Sequence, residues 1–325
     1  KNNRNKYSLY LFIILFVLSL FAEIISNDKP IILKMDDKIY FPILISYTDK
    51  EFGGYFDTEA DYKDDFIASR LKEESNWAIF PINPHSYDSI NISNSTPNPA
   101  RPSIHNYLGT DDRGRDVLAR LIYGFRLSVL FAFVLTAIGI IIGIFFGAIQ
   151  GYFAGRVDLY MQRFIEIWSS MPELYILIIF SSLFEPSIFL LIVLLSLFGW
   201  MSLSDYVRAE FLKGRNMEYV VAARTLGLSN TKIILKHILP NSMVSVITFL
   251  PFRISGAILI LTSLDFLGLG VPPDTPSLGE LLAQGKENIE AWWLSLSTFL
   301  VLVGTLLLLI FIGEGIRESL DSRSS

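Results

Sequence analysis

The chain has no cysteine and only three histidines among its 325 residues. The absence of cysteine excludes disulfide bonds, thiolate chemistry and cysteine-ligated metal sites. The histidines, His85, His105 and His237, are too scattered to indicate a metal cluster. The sequence also lacks a G-x-x-x-x-G-K-[ST] phosphate-binding loop, so we do not expect this chain to hydrolyse ATP. No serine, histidine and aspartate stand in the context of a catalytic triad, and a non-catalytic protein is the expectation.

Charge is also sparse. Charged residues make up 18% of the chain and hydrophobic residues 51%, and the mean hydropathy is +0.45. A soluble domain of this size does not carry so many long apolar runs, so the composition predicts an all-α polytopic membrane protein. The net charge of −5 carries little information, because the charges are concentrated in a few loops. We expect the lipid bilayer to surround this chain and expect no nucleic-acid partner.

Six apolar segments are long enough to cross the ~30 Å hydrocarbon core of a bilayer as helices. The predicted spans are residues 7–25, 127–153, 161–184, 187–207, 242–264 and 294–313. Gly139, Gly143 and Gly147 have the small-xxx-small spacing that lets helices approach closely in lipid. Pro172 and Pro251 are expected to interrupt two of the spans.

The basic residues predict the orientation of these spans. Lys1, Arg4 and Lys6 precede the first span and place the N-terminus in the cytoplasm. A cleaved signal peptide is the alternative, but no small-x-small cleavage site ends the apolar run, so an uncleaved anchor is expected. Six crossings then return the C-terminus to the cytoplasm and place the basic loop 208–241 there as well.

Three regions are therefore predicted. Residues 1–25 form the cytoplasmic N-terminus and first anchor, residues 26–120 an extracytoplasmic insertion, and residues 121–325 a five-helix core with a cytoplasmic loop. Within the insertion, residues 39–46 are predicted to form a strand and residues 61–74 a charged helix.

Residues 218–241 have the pattern of two short helices joined by a tight turn. Apolar residues recur at helical spacing on both sides of Gly227, which predicts a glycine C-cap there. Ser229 or Asn230 can cap the second helix, and Pro240 is expected to end it.

This segment resembles the coupling loop of ABC importer permeases, whose motif reads E-A-A, three residues, G, nine residues, then I-x-L-P. Val221 stands where the Glu of the motif would be, and His237 where the Ile would be. Both departures are common in the oligopeptide and dipeptide branch of the family. The resemblance assigns ATPase coupling to Glu218, Ala222, Ala223, Gly227, His237, Leu239 and Pro240. An ordinary amphipathic hairpin between membrane helices is the alternative.

Other strings extend the resemblance along the chain. LGTDDRGRDVLARLIYGFRLSV, GYFAGRVDLYMQRFIEIWSSMP, LTSLDFLGLG and SLGELL occur in the order found in the second permease subunit of oligopeptide and dipeptide ABC importers. The string ISYTDKEFGGYFDTEADY resembles the Yej-type branch, which carries an enlarged segment at that place. The resemblance implies the MetI-like permease core and the bacterial inner membrane.

Members of that family work in a complex. They pair with a second, homologous permease subunit, with two ATP-hydrolysing subunits or one fused pair, and with an extracytoplasmic substrate-binding protein. The resemblance therefore implies import of peptides or peptide-like compounds, with ATP bound by the partner subunits and no cofactor on this chain. ATP-driven closure of the ATPase pair would move the coupling loop and rock the membrane helices between two openings.

Other functions stay open from the sequence. The same machinery can import a non-peptide cargo such as nickel or a glycoside. A secondary transporter would show paired broken helices in two halves, and none are evident. A membrane enzyme would need clustered ionisable residues within its spans, and the nearest candidates are Arg163 and Glu166.

Two charged residues are candidates for the translocation pathway. Arg253 lies near the middle of the fifth span, where a guanidinium costs several kcal/mol unless it faces a wet cavity or a carboxylate. We predict that it lines the pathway and meets acidic groups of the cargo; a structural ion pair with Glu166 or with the partner permease is the alternative. Glu166 is the second candidate, and an i,i+3 pair with Arg163 near the headgroups is its plainer interpretation.

Overall fold

The structure is a computed structural model that describes residues 3–73, 75–90 and 97–321. Helices dominate those residues, as the apolar composition predicts. In chain order they are α1 (Asn3–Leu20), α2 (Ala22–Ile25), α3 (Asp65–Arg70), α4 (Val117–Phe153), α5 (Gly155–Ser169), α6 (Glu173–Leu183), α7 (Ile188–Gly199), α8 (Met201–Gly214), α9 (Glu218–Thr225), α10 (Asn230–Ile233), α11 (Leu239–Phe266), α12 (Leu278–Glu287) and α13 (Trp292–Asp321).

Two short turns and one small sheet complete the secondary structure. A 3-10 turn spans Asp49–Phe52, and a π-helical turn, Ile234–Ile238, joins α10 to α11. The strands are β1 (Ile32–Met35), β2 (Lys38–Tyr40) and β3 (Trp77–Ile79), and they form an antiparallel sheet in the order β2-β1-β3.

Four described helical stretches are long and apolar enough to cross a membrane. They are Val117–Phe153, Ile188–Gly214, Asn230–Phe266 and Trp292–Leu320. Helices α5 and α6 meet at 62° across a short break and make a fifth crossing if the bent pair is one span. The chain is therefore a helical membrane protein with four or five apolar crossings among its described residues.

The six-span count is not confirmed, and the first predicted span is the reason. Instead of one helix over residues 7–25, the chain forms α1 and the single-turn α2, separated by a break at Phe21. Helix α1 begins four residues earlier than predicted, with two asparagines, an arginine and a lysine. These polar residues lower its mean hydropathy, and the break leaves it only 18 residues long.

The prolines of the chain test several of the other predicted elements. The strand predicted over residues 39–46 ends at Tyr40, two residues before Pro42, which has no N–H for a sheet hydrogen bond. Pro172 separates α5 from α6, as predicted, whereas Pro251 lies inside an unbroken α11, so the interruption predicted there is wrong. Pro240 does not end the second short helix of residues 218–241 but lies in the first turn of α11.

The charged helix predicted over residues 61–74 is shorter, Asp65–Arg70, and Glu74 lies outside the described residues.

The chain divides into two compact units. The first unit contains Lys1–Ile13, Ser128–Pro272 and Val303–Ser325, and the second unit contains Ile14–Leu127 and Pro273–Leu302. The second unit includes a small apolar core under the sheet, made of Leu33, Met35, Phe52, Ala60, Tyr62 and Ile67. The segment predicted as an insertion therefore has folded structure of its own.

Close helix packing in the first unit depends on glycine, as the small-residue spacing predicts. A Cβ added at Gly147 would lie 2.6 Å from the Ser204 carbonyl oxygen, and one at Gly151 would lie 2.4 Å from the Phe211 Cβ. At these positions α4 and α8 touch backbone to backbone, which leaves no room for a side chain. This contact supports the loop that follows α8.

Candidate functional site

Residues 218–241, which we call the coupling loop after the family motif that they resemble, contain the predicted helix–turn–helix. Helix α9 ends at Thr225, and Gly227 follows with a left-handed φ of +77°. The Gly227 N–H donates to the Arg224 carbonyl at 3.0 Å, and the Leu228 N–H donates to the Ala223 carbonyl at 3.2 Å. These two bonds form a Schellman cap, so the glycine C-cap prediction is confirmed. Ser229 occupies the N-cap position of α10 in extended conformation, without a side-chain cap bond.

The loop is held on the first unit by an apolar core. Val220, Ala223, Ile233 and Ile238 of the loop are buried against side chains from α4, α8 and α11. The other buried members of this cluster are Ala148, Tyr152, Leu203, Val207, Phe211 and Val246. A ridge of apolar side chains thus fixes one face of both short helices, and the opposite face is left to solvent.

Polar contacts at the end of α4 fix the loop further. The Tyr152 hydroxyl donates to the Asn230 Oδ1 at 2.7 Å. The Arg224 guanidinium lies over the Tyr152 ring at 5.6 Å from its centre, within reach of a cation–π interaction. The start of α10 and the end of α9 therefore share one aromatic anchor.

The structure separates the predicted coupling residues into two groups. Glu218, Ala222, Gly227 and Pro240 are exposed, and His237 and Leu239 are half-buried. Ala223, in contrast, is only 5% exposed and packs inside the loop's own core, so it is not available to a partner surface.

Leu226 is a strongly exposed residue of the loop that the sequence analysis did not single out. It lies in the turn before Gly227 and is 80% exposed. An apolar residue at the end of a helix such as α9 is expected to pack against the protein, and nothing in the local sequence indicates that Leu226 faces solvent. The exposed tip of the loop therefore combines an apolar side chain with the small Ala222.

The π-helical turn makes the loop continuous with a membrane helix. The Leu239 N–H donates to the Ile234 carbonyl, five residues earlier. A π turn widens the helix, and this gives the ring of Pro240 the room that a regular α-turn would deny it. The chain is therefore helical without interruption from Asn230 to Phe266.

Arg253 lies on that same helix and contacts two other elements of the first unit. Its guanidinium donates to the Gly199 carbonyl oxygen at the junction of α7 and α8, and to the Ser202 Oγ at 3.2 Å. Its Nε is buried and has no hydrogen-bond partner in the part of the chain that the structure describes. Glu166 forms its ion pair with Arg163 instead, as the plainer interpretation predicts. The alternative of an Arg253–Glu166 pair is therefore not what the structure shows.

A second charged group lies in the second unit, where two of the recognised strings meet. Arg115 and Arg120 come from LGTDDRGRDVLAR, and Glu280 comes from SLGELL. The Arg115 Nη2 lies 3.1 Å from Glu280 Oε1 and 2.7 Å from Asp111 Oδ2. The Arg120 Nη2 pairs with Glu280 Oε2, and its Nε lies 3.7 Å from Asp111 Oδ2. We call these four residues the buried ion cluster.

Because the side chains of the buried ion cluster are shielded from water, their charges interact strongly with one another. The side chains of Arg120 and Asp111 are fully buried, and that of Arg115 is 4% exposed. Desolvation opposes the charge of Arg115, but the carboxylates of Asp111 and Glu280 outweigh it and raise the pKa of Arg115 above its usual range. Burial and the charge of Asp111 raise the pKa of Asp112.

Comparison with known proteins shows the family to which this chain is similar. Residues 139–325 match the family model described as binding-protein-dependent transport system inner membrane component. The chain is 49% identical over 320 residues to the inner membrane ABC transporter permease protein YejE of Escherichia coli, covering 98% of this chain and 94% of that protein. It is 47% identical over 348 residues to the peptidoglycan transport system permease protein YejE of Agrobacterium fabrum, covering 100% of this chain and 91% of that protein.

A more distant relative and a solved structure agree. The oligopeptide transport system permease protein OppC of Haemophilus influenzae is 36% identical over 241 residues, covering 74% of this chain and 77% of that protein. The fold resembles a chain in the inward-facing structures of the MetNI methionine ABC transporter, with a TM-score of 0.52 and 17% sequence identity. That match covers 62% of this chain and 97% of the other chain.

Proposed function

Because the chain belongs to the family of binding-protein-dependent transport system inner membrane components, in its oligopeptide and dipeptide permease branch, we propose that it is the permease subunit of an ATP-driven importer of peptides or peptide-like compounds. One observation carries the proposal on the structural side. An exposed turn, tipped by Leu226, projects from a short helix pair that is itself firmly packed. A surface of this kind transmits force from a partner, because the loop cannot move without its supporting helices.

The proposed complex follows the family. A second homologous permease completes the translocation pathway, two ATPase subunits or one fused pair supply the energy, and an extracytoplasmic binding protein delivers the cargo. The chain is a multi-pass protein of the bacterial inner membrane. Arg253 and Glu166 are the pathway residues proposed from the sequence. For Arg253 the structure adds support, since no carboxylate of the described residues neutralises its guanidinium.

We further propose the orientation and regions predicted from the sequence. Residues 1–25 hold the cytoplasmic N-terminus and an anchor, residues 26–120 lie outside, and residues 121–325 form the permease core with both the 208–241 loop and the C-terminus inside. The anchor is the sixth crossing, and its short α1 is long enough to enter a bilayer at ~1.5 Å per residue.

Single cysteines test this orientation, since the native chain has none. Ser75 and Ser229 are both exposed, so a cysteine at either position can react. In intact spheroplasts, an impermeant maleimide is expected to label Ser75→Cys and not Ser229→Cys. Permeabilised cells, in which both variants label, provide the control. The reverse pattern in intact spheroplasts would contradict the orientation and, with it, an ATPase-facing loop.

The coupling role is tested in proteoliposomes that contain both permeases, the ATPases and the binding protein. We expect Leu226→Asp to abolish ATP-driven uptake and retention of the ATPase, because a desolvated carboxylate at the docking surface opposes binding. Gly227→Val is expected to have a similar effect through the backbone. Nothing lies within 4 Å of a Cβ at this position, so its left-handed φ alone imposes a strain of about 1–2 kcal/mol.

Ile104→Asp is the matched control, because Ile104 is 83% exposed in the second unit. It should leave uptake and ATPase retention at wild-type levels. Wild-type values for Leu226→Asp and Gly227→Val would show that this loop is not the docking element. Uptake by the wild-type complex with a proton gradient but without ATP would instead favour a secondary transporter.

A further inference from the structure

A cavity of about 400 Å³ opens beside the bend between α5 and α6. Helices α4, α7, α8 and α11 contribute the other walls, so that six helices of the first unit surround it. The lining residues that matter here are Ser169, Met171, Glu173, Gly199, Met201 and Ile260. Its size is within the range of small-molecule sites, which start near 300 Å³.

The sequence explains why the cavity exists. Pro172 cannot continue a helix from α5, so the chain turns by 62° and begins α6 at Glu173. On the opposite wall lies the helical stretch Ile188–Gly214, in which Trp200 separates α7 from α8 without a sharp bend. The bend between α5 and α6 therefore leaves a gap beside this stretch that a straight helix would fill.

Glu173 is the charged residue of this cavity, and it has no partner. Its side chain is half-buried, yet within the described residues its carboxylate makes no hydrogen bond and no ion pair. Glu173 is in the first turn of α6, where the helix dipole favours a negative charge. That favourable position supplies no hydrogen bond to its oxygens.

Arg253 does not neutralise this carboxylate. Its guanidinium is directed to the Gly199 carbonyl and to Ser202, on the α7–α8 wall. Gly139 on α4 also packs closely against the guanidinium, since a Cβ there would lie 3.0 Å from Arg253 Nη2. Arg253 is therefore engaged elsewhere, and Glu173 is the one charged side chain among the residues that line the cavity.

An unpaired carboxylate within a membrane-spanning segment marks a place where a cation binds or passes. Apart from Ser169, the other lining side chains are apolar or carry a thioether, and they suit a ligand that has a charged end and a variable, partly apolar body. A peptide with a free amino group has this chemistry. A methionine side chain adapts to different shapes, which a pathway for varied cargo requires.

We propose that this cavity binds peptide cargo through its ammonium group, with Glu173 as the acceptor. The proposal rests on the peptide-import function proposed above. The ammonium group is either the peptide's N-terminal amine or a lysine side chain, and the same carboxylate accepts both. Arg253 borders the cavity through Gly199, so a carboxylate of the cargo would meet the opposite charge further along the pathway.

The test places a single cysteine in the cavity of the otherwise cysteine-free chain. Ser169→Cys is introduced in the assembled transporter, and its rates of reaction with a cationic and an anionic methanethiosulfonate are compared. Glu173 is expected to make the cationic reagent faster. Glu173→Gln is expected to remove that preference, whereas Glu185→Gln, at an exposed position beyond the other end of α6, is expected to keep it.

Peptide protection then identifies the ligand. Trialanine should slow the modification, its N-acetyl form should not, and an N-acetyl tripeptide with one lysine should do so if a side-chain amine also binds. Glu173→Gln is expected to weaken protection by trialanine roughly tenfold, because hydrogen bonds to a charged group are lost. The N-terminal and side-chain sources of the ammonium group are separated by the last two peptides.

Several results would overturn the proposal. They are equal protection by trialanine and its N-acetyl form, undiminished protection in Glu173→Gln, no protection by any peptide, and no reaction of the cysteine with either reagent. ATP-driven uptake of trialanine by the wild-type complex is measured in parallel. Uptake without protection would reject this site and leave the importer function intact, whereas absence of uptake would reject the function itself.

Discussion

The Glu280→Ala variant is expected to lose about 3–5 kcal/mol of stability in the second unit, the usual cost of removing one partner from a buried ion pair. Glu280 bonds both Arg115 and Arg120, and Asp111 is the other carboxylate of the buried ion cluster. With four members the cluster is neutral. Without Glu280, two buried guanidinium groups share one carboxylate.

The remaining contacts of Arg120 cannot compensate. Its guanidinium also donates to the carbonyl oxygens of Tyr87 and Thr275, both at 3.2 Å. These bonds satisfy N–H groups but do not neutralise the charge. They also show what the cluster connects: Tyr87, the start of α4, and the segment before α12 are all tied to one side chain.

Thermal denaturation of the purified chain in detergent, with proteolysis of the second unit, measures this effect. Glu280→Gln should fall between the wild type and Glu280→Ala, because it keeps the shape of the side chain and loses only its charge. Glu287→Ala on the exposed side of the same helix should change stability by no more than about 0.5 kcal/mol. Equal melting temperatures for Glu280→Ala and Glu287→Ala would contradict the role assigned to the buried ion cluster.

The second large effect is expected at Gly151. Gly151→Leu should destabilise the first unit by about 3 kcal/mol, the upper end of the range for overpacked cores. Its Cβ alone would lie 2.4 Å from the Phe211 Cβ and 2.6 Å from the Arg208 carbonyl oxygen. Phe211 is fully buried in the cluster that supports the coupling loop, so α8 can move away only by opening that core.

Gly304→Leu is the matched control, because Gly304 also lies within a membrane-spanning helix but has nothing within 4 Å of an added Cβ. It should leave the melting temperature unchanged or slightly raised, since leucine favours a helix more than glycine does. The measurement is the melting temperature in detergent together with the amount of ATPase retained. A Gly151→Leu chain as stable as Gly304→Leu would show that α4 and α8 separate without cost.

Local sequence patterns were sufficient to predict the helix–turn–helix backbone of the coupling loop. Gly227 after an apolar run predicts a left-handed residue, and the repeated apolar spacing predicts the two helices that the structure contains. The prediction that Pro240 ends the second helix was wrong. A proline normally ends a helix, and no local sequence pattern indicates the π turn that precedes Pro240. The resemblance to the coupling motif assigned Ala223 to a partner surface, and nothing local corrects this, since its burial depends on Tyr152 and Phe211, which are distant in sequence.

The buried ion cluster and the cavity were beyond a local interpretation. Glu280 meets Arg115 and Arg120 across 165 and 160 residues, and no spacing rule relates them. Glu173 follows a proline in an apolar segment, where a carboxylate is equally compatible with a helix start. Its importance comes from the walls that α4, α7, α8 and α11 add to the cavity, which only the fold brings together.

The uninterrupted helix from Asn230 to Phe266 acts as a lever. Phe266 lies 26 residues beyond Pro240 (266 − 240), or about 39 Å along the axis at ~1.5 Å per residue. A tilt of about 10° at Pro240 would therefore swing Phe266 by ~7 Å and Arg253, which lies half of the way along, by ~3 Å. That displacement is longer than a hydrogen bond tolerates. A movement of residues 218–241 that tilts this helix would then either break the hydrogen bond from Arg253 to Gly199 or move the α7–α8 junction with it.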